Sequence, residues 1–436
     1  MQHLKPIFFR LDRTWFFLLI TLLVAVSCRS TPEKEAVTQS IDKLDHEILL
    51  DLNHFTYTIA NEHDQFYSFI GVRALTMVHL AIHDAVNSID PHYETYVFET
   101  EQPRANPIAA TVAAARTILS AAYPARLDTI QSVCDRWLQT IADTTGLAEG
   151  TMLGNSVART IIELREGDGH EKQGDYTPMN KPGAYQYTPG FNNWVLYPDF
   201  DYARPFTLDS VTQFRSPPPP ALDSEVYTAS LLEVQEYGRK GSTVRSEDQT
   251  NFAHWWAEFA EHSWNRIGRI VAEQRSLSFA ETARMFALIN MNIYDTYIAS
   301  LEAKYHYDTW RPYTAIRTGS VAINPATTAE PDWEPEMLTP PWPEYPSAHA
   351  AVGAGGAEIV TAILGSPDVN IRMESITALS TAKERTITDL DQAADQCAES
   401  RIMNGYHFRF ATDEGKRQGR ALARHILDNY LLPVGS

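Results

Sequence analysis

The stretch EYPSAHAAVGAGGAEIV, residues 344–360, decides how this chain is read. Pro346 cannot continue a preceding helix, Ser347 is a strong N-cap residue, and the string from Ala348 onward favours a helix. Its small residues let another backbone approach closely. The start of such a helix carries unpaired N–H groups and a partial positive charge, which suits an anion. His349 falls in the first turn, beside that anion. A capped structural helix with an incidental histidine accounts for the same letters, so the rest of the chain must arbitrate.

Outward from this stretch the dominant period is helical. Residues 67–89 (YSFIGVRALTMVHLAIHDAVNSI), 107–123 and 151–167 repeat apolar side chains at three- and four-residue steps. The pattern breaks between about 168 and 224, a stretch rich in Gly, Pro, Tyr and Asp that ends in SPPPPALDS. It reads as an irregular crossover on the surface with its aromatics tucked inward. Helical patterns then return through DQTNFAHWWAEFAEHSWNRIGRIVAEQ and SFAETARMFALINMNIYDTYIASLEAKYHY, and clear alternating strands are absent. The expectation is an all-α protein of two packed bundles, over 48–220 and 221–436. An echo supports two bundles: Arg73 precedes Asp84 by eleven residues, and Arg284 precedes Asp295 by the same interval. The two aspartates, on apolar helices, read as structural groups in need of partners.

A chain of 436 residues, 44% hydrophobic, can build a large core, and its formal charge of -19 excludes a nucleic-acid binder. Any oxyanion site must then be a local basic pocket in an acidic protein. Lys5, Arg10 and Arg13 precede the apolar run WFFLLITLLVAV, which ends at Ser27 and Cys28. This is the pattern of a secretory signal over residues 1–28. The ending AVSC resembles a bacterial lipoprotein signal, with Cys28 as the lipid-bearing residue. An ordinary signal peptide or a single membrane anchor is the competing reading. Residues 29–47 read as a flexible tether, which places the protein outside the cytoplasm, anchored by lipid to a bacterial membrane, the outer one by expectation. Cys134 and Cys397 are far apart, and their spacing leaves pairing open. His79 and His83, one turn apart, have the spacing of a metal pair but no third ligand in a motif; a buried hydrogen-bonded pair is the expectation.

Two further segments bear on the anion. In KYHYDTWRP, residues 304–312, Lys304 and Arg311 are two helical turns apart and so share a face, with Pro312 ending that helix. In ESRIMNGYHFRF, residues 399–410, Arg401 precedes His407 by six. Singly, each has an ordinary explanation: a solvated basic face, a histidine packed among aromatics.

Together and in this order, K-x6-R-P, P-S-x-H and S-R-x5-H resemble the signature of the vanadium-dependent haloperoxidases. These share a superfamily with the type 2 phosphatidic acid phosphatases and bacterial acid phosphatases. HLAIHDAVNS, FRSPPPPALDS, SEDQTNFAHWW and YHYDTWRPYTAIR look like the bacterial haloperoxidase branch, and the resemblance runs from about residue 48 to the C-terminus. It implies the all-α, two-bundle fold of the vanadium haloperoxidase/acid phosphatase type, with the oxyanion site in the C-terminal bundle. By position, it makes Lys304, Arg311 and Arg401 the cations around a bound vanadate, with Ser347 and the Ala348 N–H as donors. His407 becomes the axial vanadium ligand, and His349 the acid–base group. Trp342 falls where haloperoxidases vary between aromatic and histidine side chains, to shape a halide pocket or simply to pack.

Two departures stand out. Ala348 replaces the common glycine of P-S-G-H, keeping the N–H but adding a methyl group. Ala411 stands where the phosphatase pattern often has an aspartate, so the group that orients His407 is not evident, and a backbone carbonyl would serve. The implied activity is a haloperoxidase using vanadate, hydrogen peroxide and a halide. The alternative is an acid phosphatase that needs no cofactor, with His407 as nucleophile and His349 as leaving-group acid acting on a phosphate ester. A non-catalytic lipoprotein retaining the fold stands behind both. The halide, the organic acceptor and the oligomeric state are left open.

Overall fold

The computed structural model describes residues 41–65, 69–172, 174–198, 202–319 and 323–435. Cys28, the signal-like segment and most of the expected tether lie outside the described residues. The tether's last residues are folded: Ile41 is fully buried in the core, a 3-10 turn spans Ile41–Lys43, and the first α-helix starts at Glu47.

Five helices form the first bundle: α1 (Glu47–Asp64), α2 (Ile70–Ile89), α3 (Pro107–Ala122), α4 (Leu127–Leu138) and α5 (Leu147–Leu164). Between Leu164 and Glu225 the described chain has no α-helix, as expected of an irregular crossover, and Tyr185 and Phe206 are buried. Then come α6 (Glu225–Tyr237), α7 (Glu247–Trp255), α8 (Ala260–Arg275), α9 (Phe279–Tyr307) and α10 (Pro312–Thr318). The chain closes with α11 (Ala348–Leu364), strands β1 (Asp368–Glu374) and β2 (Glu384–Asp389), α12 (Leu390–Met403) and α13 (Arg409–Asn429). Helices α9, α11, α12 and α13 make the second bundle, and α9 also packs on α2 of the first. One apolar core therefore runs through both, from Ile41 to Leu431. Among the described residues no single helix is long and apolar enough to cross a membrane.

The antiparallel hairpin β1–β2 corrects the expectation that strands are absent. Only Ile371 and Met373 of β1 are buried, and Ile387 faces them from β2. Two inward side chains on one strand and one on the other are too few to separate a strand from a polar loop by period alone.

The long helix α9 starts at a capping box, in which Ser278 Oγ accepts from Glu281 N–H and the Glu281 carboxylate accepts from Ser278 N–H. It stops where Asp308 turns left-handed (φ 52°) and donates its N–H to the Lys304 carbonyl at 2.8 Å. Arg311 is thus beyond α9, and Pro312 opens α10 instead of ending the earlier helix. Proline suits the first helical position because no intrahelical acceptor is needed there. The shared-face argument for Lys304 and Arg311 fails, although the turn between them brings the two side chains to one place.

The echoed aspartates have like tasks. Asp84 on α2 accepts the backbone N–H groups of Tyr96, Val97 and Phe98. Asp295 on α9 accepts those of Phe206 and Thr207 at 2.7 Å each. Each pins irregular chain to a buried helix. His79 and His83 do not bond to each other: His79 Nε2 meets Asn53 at 2.9 Å, and His83 meets Asn87 and Asp84. No group of three potential metal-ligating side chains occurs among the described residues. Cys134 and Cys397 are both buried and unpaired.

Candidate oxyanion site

The N-terminus of α11 is held by close backbone packing. Gly415 of α13 lies so near that a Cβ there would stand 2.4 Å from the Ser347 carbonyl oxygen, and one at Gly419 would stand 1.9 Å from that of Ala351. Glycine is needed at both for that approach. The small residues of α11 thus serve the packing read from the sequence. Ser347, fully buried, caps the helix by accepting Ala350 N–H at 3.4 Å, and its own N–H donates to the Ala411 carbonyl at 3.0 Å. The first-turn N–H groups of Ala348 and His349 have no acceptor within the helix.

Three buried cations surround this end. Lys304, in the last turn of α9, donates to the carbonyls of Pro343 (3.0 Å) and Glu344 (2.8 Å). Arg311 donates through Nε to the Trp342 carbonyl at 2.8 Å and through Nη1 to the Tyr406 carbonyl and His407 Nε2, both at 3.0 Å. Its Nη2 is buried with no partner among the described residues. Arg401, in the last turn of α12, donates to Ser400 Oγ at 3.0 Å and to the Trp256 carbonyl at 2.7 Å. Between α12 and α13 the chain turns at Gly405 (φ 80°), whose missing side chain leaves room for Gly238 and Pro335. That turn delivers His407 to the cluster.

What orients His407 is a carboxylate, not a backbone carbonyl. Glu344 Oε1 lies 2.9 Å from His407 Nδ1 and also accepts the Phe408 N–H at 2.9 Å. Arg311 can only donate, so Nε2 must offer a lone pair and Nδ1 must carry the proton. Both neighbours therefore select one neutral tautomer, with Nε2 turned toward the cations. Sequence reasoning missed Glu344, although it opens the quoted stretch three residues before Ser347. It also missed Trp256, whose carbonyl anchors Arg401.

Burial and charge act together on every titratable group. Burial holds Lys304 well below the ordinary lysine range, helped by Arg311 and opposed by Glu344. Arg311 is pulled down to about 10 by burial, and Arg401 is lowered for the same reason. His407 is held well below its ordinary value by burial, then by Arg311, Lys304 and Arg401. Burial, then Arg401, does the same to His349, against a hydrogen bond with the Trp256 backbone. Its Nε2 has no partner among the described residues. Burial raises Glu344 to about 7 despite Arg311 and Lys304.

A cavity of about 330 Å³ opens onto this cluster, with Ala348, His349, Arg401, His407 and Trp342 in its wall. Lys304, Arg311 and Ser347 adjoin lining residues: Lys304 lies over Trp342, Arg311 bonds to His407, and Ser347 precedes Ala348. Lys304 Nζ is 5.8 Å from the centre of the Trp342 ring, so Trp342 both lines the cavity and packs on the cation.

A family profile for the vanadium chloroperoxidase N-terminal domain matches residues 43–205, and one for the VCPO second helical-bundle domain matches residues 284–433. Together these span well over half of the chain. The chain is 25% identical over 393 residues to the vanadium chloroperoxidase of Curvularia inaequalis, covering 71% of this chain and 63% of that protein's length. A bacterial vanadium-dependent iodoperoxidase superimposes with a TM-score of 0.77 at 25% identity, over 90% of this chain and 99% of the other. A bacterial vanadium-dependent chloroperoxidase shares the fold at a TM-score of 0.67 and 16% identity, over 91% and 95%. With its two bundles matched in order, this chain belongs to the vanadium-dependent haloperoxidase family.

Proposed function

We propose that the protein is a vanadate-dependent haloperoxidase, which oxidises a halide with hydrogen peroxide: X⁻ + H₂O₂ + H⁺ → HOX + H₂O. The observation that carries this reading is a buried surplus of positive charge around a neutral imidazole. Lys304, Arg311 and Arg401 face one carboxylate, Glu344, and burying unmatched charge is costly unless an anion completes the set. The partnerless Arg311 Nη2 and the helix N-terminus at Ala348 are donors waiting for oxygen.

The donor set suits vanadate. Lys304, Arg311 and Arg401 would neutralise its oxygens, Ser347 and the Ala348 N–H would donate to it, and His407 Nε2 would be the metal ligand. When bound, vanadate supplies Lewis-acid activation of peroxide toward a nucleophilic halide. His349 is neutral at ordinary pH, so its partnerless Nε2 can take a proton from an incoming peroxide and return it to the product oxygen. Trp342 borders the space the halide would cross. A phosphatase would use the same cations, but no feature of the site favours it.

The test is to assay purified apoprotein for oxidation of iodide, bromide and chloride by peroxide, with and without orthovanadate. Phosphate-ester hydrolysis is measured in the same preparation. Vanadate-dependent halide oxidation supports the reading; hydrolysis without halide oxidation replaces it with the phosphatase.

The basic residues Lys5, Arg10 and Arg13, the apolar run and the AVSC ending support export and lipidation at Cys28, and with them an enzyme outside the cytoplasm, anchored by lipid to a bacterial membrane, the outer one by this reading. Mass spectrometry of protein from the native host should find lipid on Cys28; an unmodified chain cleaved elsewhere contradicts this.

A further inference from the structure

The cavity is far larger than a halide and a peroxide need, since a water-sized guest takes about 30 Å³. Away from the cations its wall is aromatic. Phe69 meets Tyr197 edge-on at 4.2 Å and Tyr297 at 5.6 Å, with Phe259 and Leu338 on the same wall. Phe259 is 40% exposed and Leu338 is 56% exposed, so this part of the wall borders solvent.

One polar pair interrupts the apolar wall. Glu261, in the first turn of α8 and 2% exposed, accepts the Tyr297 hydroxyl at 2.7 Å. Tyr297 and Lys304 are seven residues apart within α9, hence on one face and about 10 Å apart along the axis. The carboxyl thus shares the cavity wall with His349, Arg401 and His407 of the oxyanion cluster. Burial pushes Glu261 up to about 7, against the Tyr297 hydrogen bond, so near neutral pH it exists in both forms, and either form pairs with a hydroxyl group.

We propose that this wall binds a neutral phenolic acceptor, its ring among Phe69, Tyr297 and Trp342 and its hydroxyl on Glu261, so that the ring is halogenated inside the cavity. This rests on the haloperoxidase reading. Charge selects the class: a cationic guest is repelled by Arg401 in the same wall, and an anionic one by Glu261 when ionised. The chemistry balances as HO–Ar–H + X⁻ + H₂O₂ + H⁺ → HO–Ar–X + 2 H₂O. Peroxide is reduced by two electrons and the halide oxidised by two. A ring C–H bond then gives way to C–X, the ring proton leaving in water with the hydroxide of HOX.

The probes are 4-methylphenol, 4-methylanisole, 4-methylbenzylammonium and 4-methylbenzoate, titrated calorimetrically into the vanadate-loaded protein. The expected result is saturable binding of 4-methylphenol, at least tenfold weaker for 4-methylanisole. A site built to pair a hydroxyl group rejects the analogue that lacks the donor. Glu261→Leu should weaken the phenol at least tenfold, and so should Leu338→Trp, which fills the cavity from an exposed position. Equal binding of phenol and anisole, tighter binding of the ammonium or the benzoate, or unchanged phenol affinity in both variants overturns the proposal. Vanadate-dependent triiodide formation without any organic compound is measured alongside. If it occurs while the phenol does not bind, only the acceptor site fails; if it does not occur, the haloperoxidase reading and this inference fall together.

Discussion

Replacing Glu344 by glutamine separates two effects that a bound oxyanion feels in opposite directions. In the parent, one carboxylate oxygen accepts both the His407 Nδ1–H and the Phe408 N–H at 2.9 Å. A glutamine carbonyl can keep both bonds, so the ring stays in place and its tautomer is retained. The charge is lost, however, and with it the push that makes Nε2 a better metal donor. Partners of this kind typically account for a 10- to 100-fold effect on metal affinity, or about 1.4 to 2.7 kcal/mol. Loss of the anion also leaves Lys304 and Arg311 less neutralised, which favours any oxyanion. Phosphate, which has no metal centre for His407 to ligate, should therefore bind Glu344→Gln as well as or better than the parent, while vanadate binds it 10- to 100-fold more weakly. Isothermal titration of both anions into both proteins measures the ratio directly. Equal changes for vanadate and phosphate would show that Glu344 sets only the local potential and does not tune His407 as a ligand. Glu344→Ala should be worse for stability, since it strands two buried donors at about 1–3 kcal/mol each.

Three other outcomes are expected. His407→Ala should lose tight vanadate binding together with activity, whereas His349→Ala should keep vanadate and lose turnover by a factor on the order of 10² to 10⁴, read by titration and an iodide assay; equal affinity of His407→Ala and the parent for vanadate removes His407 as the ligand. Gly415→Ala drives a Cβ to 2.4 Å from the Ser347 carbonyl, so it should cost about 1–3 kcal/mol in urea unfolding and weaken vanadate binding by shifting the start of α11; an unchanged midpoint and affinity would show that α13 can move away. His79 is lowered to about 3 by burial, so its contribution is complete above pH 6.5 and is lost as pH falls from 6.5 toward 3. His79→Gln should thus flatten the fall of unfolding free energy across that window by about 1.4 kcal/mol per pH unit, and parallel curves for variant and parent would contradict it.

The helices were legible because their apolar side chains recur at helical spacing over many turns, as in α2 and α9. The β1–β2 hairpin was not, because so few of its side chains face inward. At the site, the cations and both histidines could be picked out by motif order, but the reason offered for pairing Lys304 with Arg311 was wrong. The sequence contains Asp308 and Pro312, yet it does not say that the chain turns at the first and restarts a helix at the second. Glu344 was hidden for a different reason. Its partner His407 is 63 residues away, and a carboxylate next to a proline turn carries no local mark of burial. Glu261 and Tyr297 were invisible likewise, since their bond joins two helices and neither lies in a motif.

X-ray absorption at the vanadium edge tests the central claim most directly, on the protein reconstituted with one equivalent of orthovanadate. The expected spectrum shows an oxygen-rich shell with a single imidazole nitrogen whose signal disappears in His407→Ala and persists in His349→Ala. A shell of oxygens alone in the parent protein, or an imidazole signal that survives in His407→Ala, would contradict it.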